Sequence, residues 1–320
     1  MSLPYTQYLS ETIQSLFEKE GVDGWIAYVE GTVPFRPHPA VFSSPDGAAN
    51  VVFNGFCVQN LAKYLKRHQE KRMGILVKGC DQRAIRVLIQ ERQIERDHLF
   101  LAGISCPGML NRTKLLEEFP GLKEEQVAEE GQTLIVQTPE GPRSLMRIDY
   151  LLPTCRACHH RIPEGVDILL DPPPFGAPKA EETFKDQVGP IGEIPREQRE
   201  ALFTEELSRC ILCYACRNVC PLCYCETCFT DSLKPAWMTH APEPDNIFFY
   251  HVNRMMHMAG RCVACGSCEW ACPEHIQLHL LYGKITADVA ELFSYEAGLS
   301  ETVPQPLSHF SEDDPDEHIG

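Results

Sequence analysis

Two cysteine runs in the second half of the chain constrain the fold more than any other feature. Each run has the spacing Cys-x-x-Cys-x-x-Cys-x-x-x-Cys-Pro, so the pattern occurs twice. The runs comprise Cys210, Cys213, Cys216 and Cys220, and then Cys262, Cys265, Cys268 and Cys272. Three thiolates at steps of three residues can surround one corner of an iron–sulfur cube, whereas the fourth lies too far along the chain to close the same cube.

This spacing is typical of bacterial two-cluster ferredoxins, in which the fourth cysteine of each run ligates the other cluster. We therefore predict two 4Fe–4S clusters with crossed ligand sets. Tandem set one comprises Cys210, Cys213, Cys216 and Cys272. Tandem set two comprises Cys262, Cys265, Cys268 and Cys220. Zinc is the alternative, but structural zinc sites use pairs of Cys-x-x-Cys and require neither the third cysteine nor the trailing Cys-Pro.

The composition restricts the possible partners and the compartment. The 320 residues suffice for two ordinary domains, and the formal net charge of −16 argues against binding to nucleic acid or to anionic membrane surfaces. The chain has neither an apolar stretch of about 18 residues nor a recognisable signal peptide, which predicts a cytoplasmic protein without membrane insertion. In that compartment, 16 cysteines indicate metal ligands rather than disulfides, and such a load suggests an anaerobe.

A strand–helix–strand pattern in the first half predicts a parallel α/β unit. Met73–Val77 and His98–Ala102 are apolar runs, and the helical pattern Gln82–Arg92 lies between them. Cys80 and Cys106 follow the two strands. Because the carboxyl ends of parallel strands meet at one edge of a sheet, we expect these two cysteines to lie close together.

A second cysteine pair extends this prediction to a third 4Fe–4S site. The N-terminal set comprises Cys80, Cys106, Cys155 and Cys158. The alternatives are that the first two are ordinary core residues, or that the second pair holds zinc with His159 or His160. The order Cys-x-x-Cys-His also matches covalent haem attachment, which would require export of the protein.

Four further cysteines lie outside these sets. Cys223, Cys225 and Cys228 closely follow the first tandem run, and Cys57 stands alone near the N-terminus. The three close cysteines could ligate another metal, tune a cluster or form a redox-active thiol pair. A fourth ligand for them would have to come from Cys57 or from a partner chain. By itself, Cys57 is expected to be a buried thiol.

Residues 55–170 resemble the beta-subunit family of deazaflavin-coenzyme hydrogenases and dehydrogenases, which includes formate dehydrogenase beta subunits. The resemblance rests on Val77-Lys-Gly-Cys-Asp81, on Gly103-x-x-Cys106 and on Cys155-x-x-Cys158. It implies a 4Fe–4S cluster on the N-terminal set and, as in many members, a bound FAD that exchanges electrons with the deazaflavin. Members that bind flavin usually carry a Ser-Gly-Gly segment near the N-terminus, where this chain has Ser43-Ser-Pro-Asp-Gly47. That segment does not support FAD binding.

A predicted helix, Gly260-Arg261, the second cysteine run and Pro273-Glu-His-Ile-Gln-Leu278 follow one another in the chain. This order resembles the iron–sulfur domain of small heterodisulfide reductase subunits and of succinate dehydrogenase iron–sulfur subunits, and we assign residues 201–297 to it. In that variant of the ferredoxin fold, helices separate the two cysteine runs. We accordingly predict helices over Asn246–Gly260 and from Ile276 to Tyr295. Packing around the clusters is expected from one side of the first helix, namely Phe248, Val252, Met255, Met256 and Ala259.

The predicted architecture is an α/β N-terminal domain, with parallel strands and a cluster at the strand ends, followed by a mainly α-helical dicluster ferredoxin-like domain. The predicted boundaries are 1–170 for the first domain and 201–297 for the second. Between them, 171–200 reads as a linker rich in proline and glycine, and 298–320 reads as an acidic tail that is disordered over Ser311–His318.

The pattern of residues predicts electron transfer rather than substrate chemistry. We find no nucleophile–base constellation, no Walker loop and no Gly-x-Gly-x-x-Gly fingerprint, so no catalytic residue is assigned. The predicted function is that of an iron–sulfur subunit in an anaerobic multi-subunit redox complex, with the other subunits as its partners. The alternatives are a flavin-dependent oxidoreductase subunit that acts on a deazaflavin or nicotinamide coenzyme, and a scaffold protein held together by zinc.

Overall fold

The computed structural model describes residues 3–170, 176–180, 182–309, 312 and 314. Its helices are α1 (Leu3–Glu20), α2 (Gly79–Gln90), α3 (Arg112–Glu118), α4 (Pro153–Arg156), α5 (Phe184–Glu193), α6 (Arg196–Ser208), α7 (Ala215–Val219), α8 (Pro244–His257), α9 (Ser267–Trp270) and α10 (Leu278–Phe293). Its strands are β1 (Gly24–Val29), β2 (His38–Phe42), β3 (Met73–Val77), β4 (Leu99–Gly103), β5 (Val127–Glu130), β6 (Thr133–Thr138), β7 (Gly141–Met146) and β8 (Ile168–Leu169). Short 3-10 helices cover Pro45–Asn50, Leu61–His68, Arg96–His98, Glu124–Gln126 and Arg147–Tyr150.

The larger sheet has the strand order β2-β1-β3-β4-β8, and all of its pairings are parallel except that of the edge strand β2. The predicted β3–α2–β4 unit is confirmed. Val77 and Gly103 are paired at the ends of β3 and β4, and each is followed three residues later by a cysteine of the N-terminal set. The two cysteines therefore emerge at the same edge, as the parallel pairing requires.

The helix α2 begins directly at this edge, and Cys80 lies in its first turn. Asp81 holds the start of the helix, because its carboxylate accepts from the Lys78 amide at 2.8 Å and from the Leu61 amide at 2.8 Å. The Lys78 ammonium is 2.9 Å from the same carboxylate, and both side chains are fully buried. The backbone that carries Cys80 is thus fixed by a buried ion pair.

Two strand features were not expected from the sequence. The stretch Glu30–Gly55, which reads as loop, contains β2, because an edge strand tolerates the proline at position 39. A separate antiparallel sheet, β5-β6-β7, covers 127–146 and buries Leu134 and Val136 in a small second core. Next to this sheet, Arg147 pairs with Glu129 at 2.9 Å.

The second half of the chain consists of helices and loops that pack against the sheet domain. One hydrophobic core runs from the β1 residue Trp25 to Tyr282 of α10, so the two halves share buried surface. Polar contacts also join the halves. The Arg83 guanidinium donates to the Ala297 carbonyl at 2.9 Å, and the Asn60 amide donates to the Ser267 hydroxyl at 3.0 Å.

The helix predicted over Asn246–Gly260 is present as α8. Of the five residues predicted to pack around the clusters, Ala259 is buried, Val252 and Met255 are half-buried, and the other two are exposed. Phe248 and Met256 are 59% and 52% exposed. The buried side consists of Ile247, Tyr250, His251 and Arg254. Hydrophobicity misled the prediction because this face contacts cysteine thiols rather than an apolar layer.

The stretches predicted as linker and tail contain ordered structure. Helix α5 lies within 171–200 and buries Val188 and Ile191, and it packs against α10. Beyond Gly298, the Gln90 amide group donates to the carbonyls of Ser300 and Val303 at 2.8 and 2.9 Å, so this part of the tail lies on α2. The predicted start of the linker at 171–175 and most of the segment predicted to be disordered, Ser311–His318, lie outside the described residues.

We searched the described helices for a membrane span, and none combines the length and apolarity that crossing a bilayer requires.

Candidate metal centres

The two tandem runs share an unusual backbone conformation. Leu212 and Ala264, which stand at the same position of each run, have φ values of 48° and 51°. Tyr214 and Gly266, two residues later, have φ values of 58° and 73°. Positive φ is uncommon for residues other than glycine, and it concentrates where backbone surrounds a ligand. The repeated sequence is therefore also a repeated three-dimensional loop.

Each loop directs a backbone amide at its first cysteine. The Leu212 amide donates to the Cys210 sulfur at 3.4 Å, and the Ala264 amide donates to the Cys262 sulfur at 3.4 Å. Hydrogen bonds of this kind favour the charged thiolate over the neutral thiol. The two first cysteines are thus prepared in the same way for metal ligation.

Each run then enters a short helix that carries its third cysteine. Cys216 lies in α7 and Cys268 lies in α9, and the two helices pack against each other. The fourth cysteines, Cys220 and Cys272, follow these helices. This packing carries each fourth cysteine toward the other run.

The four thiols of tandem set two line one cavity. Burial raises the pKa values of the thiols of Cys262, Cys265 and Cys268, and the nearby Cys220 thiol raises them further. The structure therefore brings together the four residues that the crossed assignment grouped.

Tandem set one is also brought together. Burial, together with the nearby thiols of Cys216, Cys272 and Cys213, raises the pKa of Cys210 to about 11. Of these residues only Cys213 is exposed. His251 approaches the set from α8, with its Nε2 atom 3.4 Å from the Cys210 sulfur. This set lies nearest to the surface because of its exposed member.

The N-terminal set lines a second cavity with all four of its thiols. Arg161 holds the surrounding loops by donating to the carbonyls of Pro107 at 2.6 Å, Cys155 at 2.7 Å and Cys158 at 3.2 Å. The Gly108 amide donates to the Cys106 sulfur at 3.4 Å, as in the tandem loops. Burial raises the pKa of Cys155 to about 12, so metal binding here would have to displace its proton.

The cavities of the N-terminal set and tandem set two adjoin each other. Thr154, Ala264 and Cys265 line both cavities, and the Cys265 thiol lies near enough to Cys80 to contribute to its raised pKa, after burial and Asp81. The Thr154 hydroxyl is buried between the cavities and has no hydrogen-bond partner among the described residues. A donor in this position could contact a group held in either cavity.

The unpaired positive charge of two buried arginines indicates whether an anionic iron–sulfur group fits these cavities. Arg161 and Arg254 are 4% and 3% exposed, and neither forms an ion pair within the described part of the chain. Arg254 donates to the Cys216 carbonyl at 3.0 Å and to the Tyr282 hydroxyl, and its buried Nε has no partner. A buried cation without a counter-charge is costly. Because four thiolates make such a cluster anionic, the thiol sets fit the group and would supply the missing charge.

Among the residues the structure describes, no three Cys, His, Asp or Glu side chains are close enough together to hold a single metal ion. A zinc site needs its sulfur ligands about 2.3 Å from one ion. The thiols of tandem set two and of the N-terminal set instead line two small cavities, of about 40 and 20 Å³. The preference for an iron–sulfur cluster over zinc rests on the cysteine spacing and on the unpaired charges of Arg161 and Arg254.

The remaining cysteines fall in two places. Cys57 is fully buried in the sheet domain, where its sulfur accepts from the Asn54 amide at 3.4 Å. It does not line the cavity bordered by Cys223, Cys225 and Cys228, so it is not placed to be their fourth ligand. The sequence reading also overlooked Arg161, Arg254 and Thr154. The sequence could have indicated Arg254 as a buried charge, because it stands between apolar positions of a predicted helix.

The curated relatives agree with the resemblance to the beta-subunit family that residues 55–170 carry. No profile of a known protein family matches the chain. The chain is 24% identical over 351 aligned residues to the F420-dependent formate dehydrogenase subunit beta of Methanocaldococcus jannaschii, covering 90% of each protein. It is also 24% identical over 353 aligned residues to the F420-dependent formate dehydrogenase 1 subunit beta of Methanococcus maripaludis, covering 91% of this chain and 90% of the relative.

Among solved structures, one chain of the F420-reducing NiFe hydrogenase complex from Methanosarcina barkeri aligns with a TM-score of 0.39 and 18% identity. The alignment covers 48% of this chain and 59% of that chain.

Proposed function

We propose that this chain is an iron–sulfur electron-transfer subunit of a multi-subunit redox complex of the deazaflavin-dependent dehydrogenase or hydrogenase kind. The observation that carries the proposal is the grouping of thiols into three sets, two of which line adjoining cavities. The names of the two formate dehydrogenase relatives, and their alignment over 90% or more of this chain, support a role in such a complex.

The proposal assigns separate roles to the thiols, to the two buried arginines and to the residues between the cavities. The thiols of each set ligate one 4Fe–4S cluster, and closed clusters of this kind supply one-electron oxidation and reduction when bound. Arg161 and Arg254 balance the negative charge inside the protein. Thr154, Ala264 and Cys265 form the thin wall between the N-terminal set and tandem set two. Arg254 then connects tandem set two to Cys216 of tandem set one.

The same grouping supports the proposed domain organisation. Residues 201–297 hold both tandem sets and form the dicluster ferredoxin-like part, and residues up to 170 hold the N-terminal set. The spatial order is the N-terminal set, tandem set two and tandem set one. In this order the exposed Cys213 marks the end that a redox partner could approach.

Iron and sulfide analysis tests the proposal. Protein purified without oxygen should contain about twelve irons per chain or more, four for each of three clusters. The variant in which Cys155 and Cys158 are replaced by serine should lose about four irons, because only the N-terminal set is incomplete. The measurement is colorimetric iron and acid-labile sulfide, with electron paramagnetic resonance after reduction by dithionite.

Cys57→Ser provides the matched control, because a serine at this position can still accept from the Asn54 amide and should leave the iron content unchanged. Wild-type protein with fewer than about four irons would overturn the whole proposal. If the Cys155→Ser, Cys158→Ser double variant retains all of its iron, the proposal no longer includes a cluster at the N-terminal set.

A second candidate function is favoured by a basic cavity next to the N-terminal set. The cavity has a volume of about 430 Å³, within the range of coenzyme pockets, and Cys158 lies in its wall. Its cationic lining residues are Arg83, Arg86, Arg161 and Lys179, with His159 and His160. Arg83 and Arg86 pair with Glu296 and Glu301, so the unpaired positive charge comes from Arg161 and Lys179 within the described residues. Such a lining suits an anionic organic coenzyme, so the alternative is a flavin-dependent oxidoreductase that acts on a deazaflavin or a nicotinamide.

This candidate predicts that acid extraction of the anaerobically purified protein releases a flavin in near-equal amount to the chain. The measurement is the absorption and fluorescence of the extract after the iron–sulfur groups have been destroyed. If protein with its full iron content yields an extract without flavin, the flavin-dependent oxidoreductase is contradicted. Electron transfer then remains as the proposed function.

A further inference from the structure

A further cavity lies beside tandem set two, and it is lined by every cysteine that the three sets leave out except Cys57. Its volume is about 220 Å³, and Cys223, Cys225 and Cys228 all line it. We propose that these three thiols ligate a further iron–sulfur cluster. The inference rests on the proposed function only for the identity of the neighbouring cluster at tandem set two.

The loop that carries these cysteines is held by the sheet domain. The Lys63 ammonium donates to the Cys223 carbonyl at 3.0 Å, and the Lys66 ammonium donates to the Tyr224 carbonyl at 3.1 Å. The Tyr224 hydroxyl donates to the Glu91 carboxylate at 2.7 Å. These three contacts hold the loop against the sheet domain.

The same loop is held from its other side by the helical half. Arg261 donates to the Leu222 carbonyl at 3.2 Å and pairs with Glu91, and its guanidinium also lies 5.2 Å from the Tyr224 ring. The Asp231 amide donates to the Cys228 carbonyl at 2.9 Å. The backbone that presents the three thiols is therefore fixed before any metal binds.

The charges around the cavity indicate an anionic occupant. Arg217 and Arg261 are neutralised by Asp231 and Glu91. Of the other two lining cations, Arg254 also faces the cavity of tandem set two, and Lys63 has no ion-pair partner in the described ranges. An iron–sulfur cluster with three thiolate ligands would supply negative charge at this point.

The position also suits exchange of one electron with tandem set two. Leu222, Arg254 and Met258 line both this cavity and the cavity of tandem set two. Three cysteines leave one metal position without a protein thiolate, and His257 is another potential ligand in the lining. The cavity thus has the ligands for a fourth cluster. It adjoins tandem set two and lies outside the row formed by the N-terminal set, tandem set two and tandem set one.

Iron content distinguishes this site from the others. The wild-type chain should contain three to four irons more than the roughly twelve of the three sets, and a Cys225→Ser, Cys228→Ser double variant should lose that excess. The Cys57→Ser variant is the matched control and should lose none. An iron content near twelve that is the same in wild type and double variant would overturn this inference, while leaving the proposed function intact. Wild-type protein without stoichiometric iron would instead overturn the proposed function.

Alkylation of the wild-type protein provides a test that does not depend on a variant folding. Cys225 is exposed, so a free thiol there should react with iodoacetamide within minutes. The iron-loaded protein is first treated with a phosphine to open any disulfide and is then alkylated, and the peptides are identified by mass spectrometry. We expect Cys225 and Cys228 to remain unalkylated until a chelator removes the iron. Modification of both in the iron-loaded protein would overturn the inference.

Discussion

The Arg254→Met variant should have lower reduction potentials at both proposed tandem clusters than the wild-type protein. Arg254 lines the cavity of tandem set two and donates to the Cys216 carbonyl in tandem set one. A unit charge contributes about 1–2 kcal/mol at roughly 8–16 Å for an effective dielectric constant near 20, which corresponds to about 40–90 mV for one electron. Loss of the cation makes the added electron less favourable, so the potentials fall. Redox titration followed by electron paramagnetic resonance measures them.

Two comparison variants separate charge from packing. Arg254→Lys keeps the positive charge without the planar donor group, and its potentials should lie closer to the wild-type values. Arg143→Gln removes an arginine that is 54% exposed on β7 and should leave both potentials unchanged. Unchanged potentials in the methionine variant at full iron content would contradict a role for Arg254 in balancing cluster charge.

Removal of iron from the purified protein should unfold the part that contains the tandem sets and leave the sheet domain folded. The helices α7 and α9 have only 5 and 4 residues, too short to be stable alone, and the loops before them require positive φ at Leu212, Tyr214 and Ala264. Without the clusters, the buried Arg254 also lacks its counter-charge. Loss of one partner of a buried charge pair costs about 3–5 kcal/mol, which lowers the Tm of a domain of this size by roughly 10–30 °C.

Limited proteolysis and circular dichroism during anaerobic chelation measure this effect. The expected cleavage sites lie between α6 and α10, and a fragment that contains β1 to β8 should persist. The sheet domain should survive because β1, β3 and β4 are paired with one another and bury Trp25, Ile75 and Leu101 in the part of the shared core that lies within the sheet. Identical Tm values and cleavage patterns before and after iron removal would show that the helices do not depend on the clusters. Restoration by added iron and sulfide is the control.

Local patterns in the sequence were enough to predict several elements. The strands β3 and β4 and the helix between them followed from short periodic runs, and their parallel pairing fixed where Cys80 and Cys106 emerge. The predicted burial was wrong where a residue's neighbours in the fold, rather than its own hydrophobicity, decided whether it is buried. The face of α8 that carries Tyr250, His251 and Arg254 is buried because thiols lie opposite, and no hydrophobic period reveals this.

The antiparallel sheet β5-β6-β7 and the strand β2 were also missed. The strand β6 carries Leu134, Ile135 and Val136, and its own residues could have predicted it. The strands β2 and β7 each include a proline, and pairing with neighbouring strands stabilises them. The helix α5 was read as linker for a similar reason. Its burial against α10 depends on a contact between residues that are far apart in the chain.

The sequence by itself determined which thiols can act together within each tandem run, because covalent spacing limits how far apart neighbouring sulfurs can lie. Only the tertiary structure decided that the N-terminal set and tandem set two share the wall formed by Thr154, Ala264 and Cys265. It also decided that Arg254 faces the thiols from a separate helix. These contacts join residues distant along the chain, and chain folding brings such residues together through packing that no local spacing encodes.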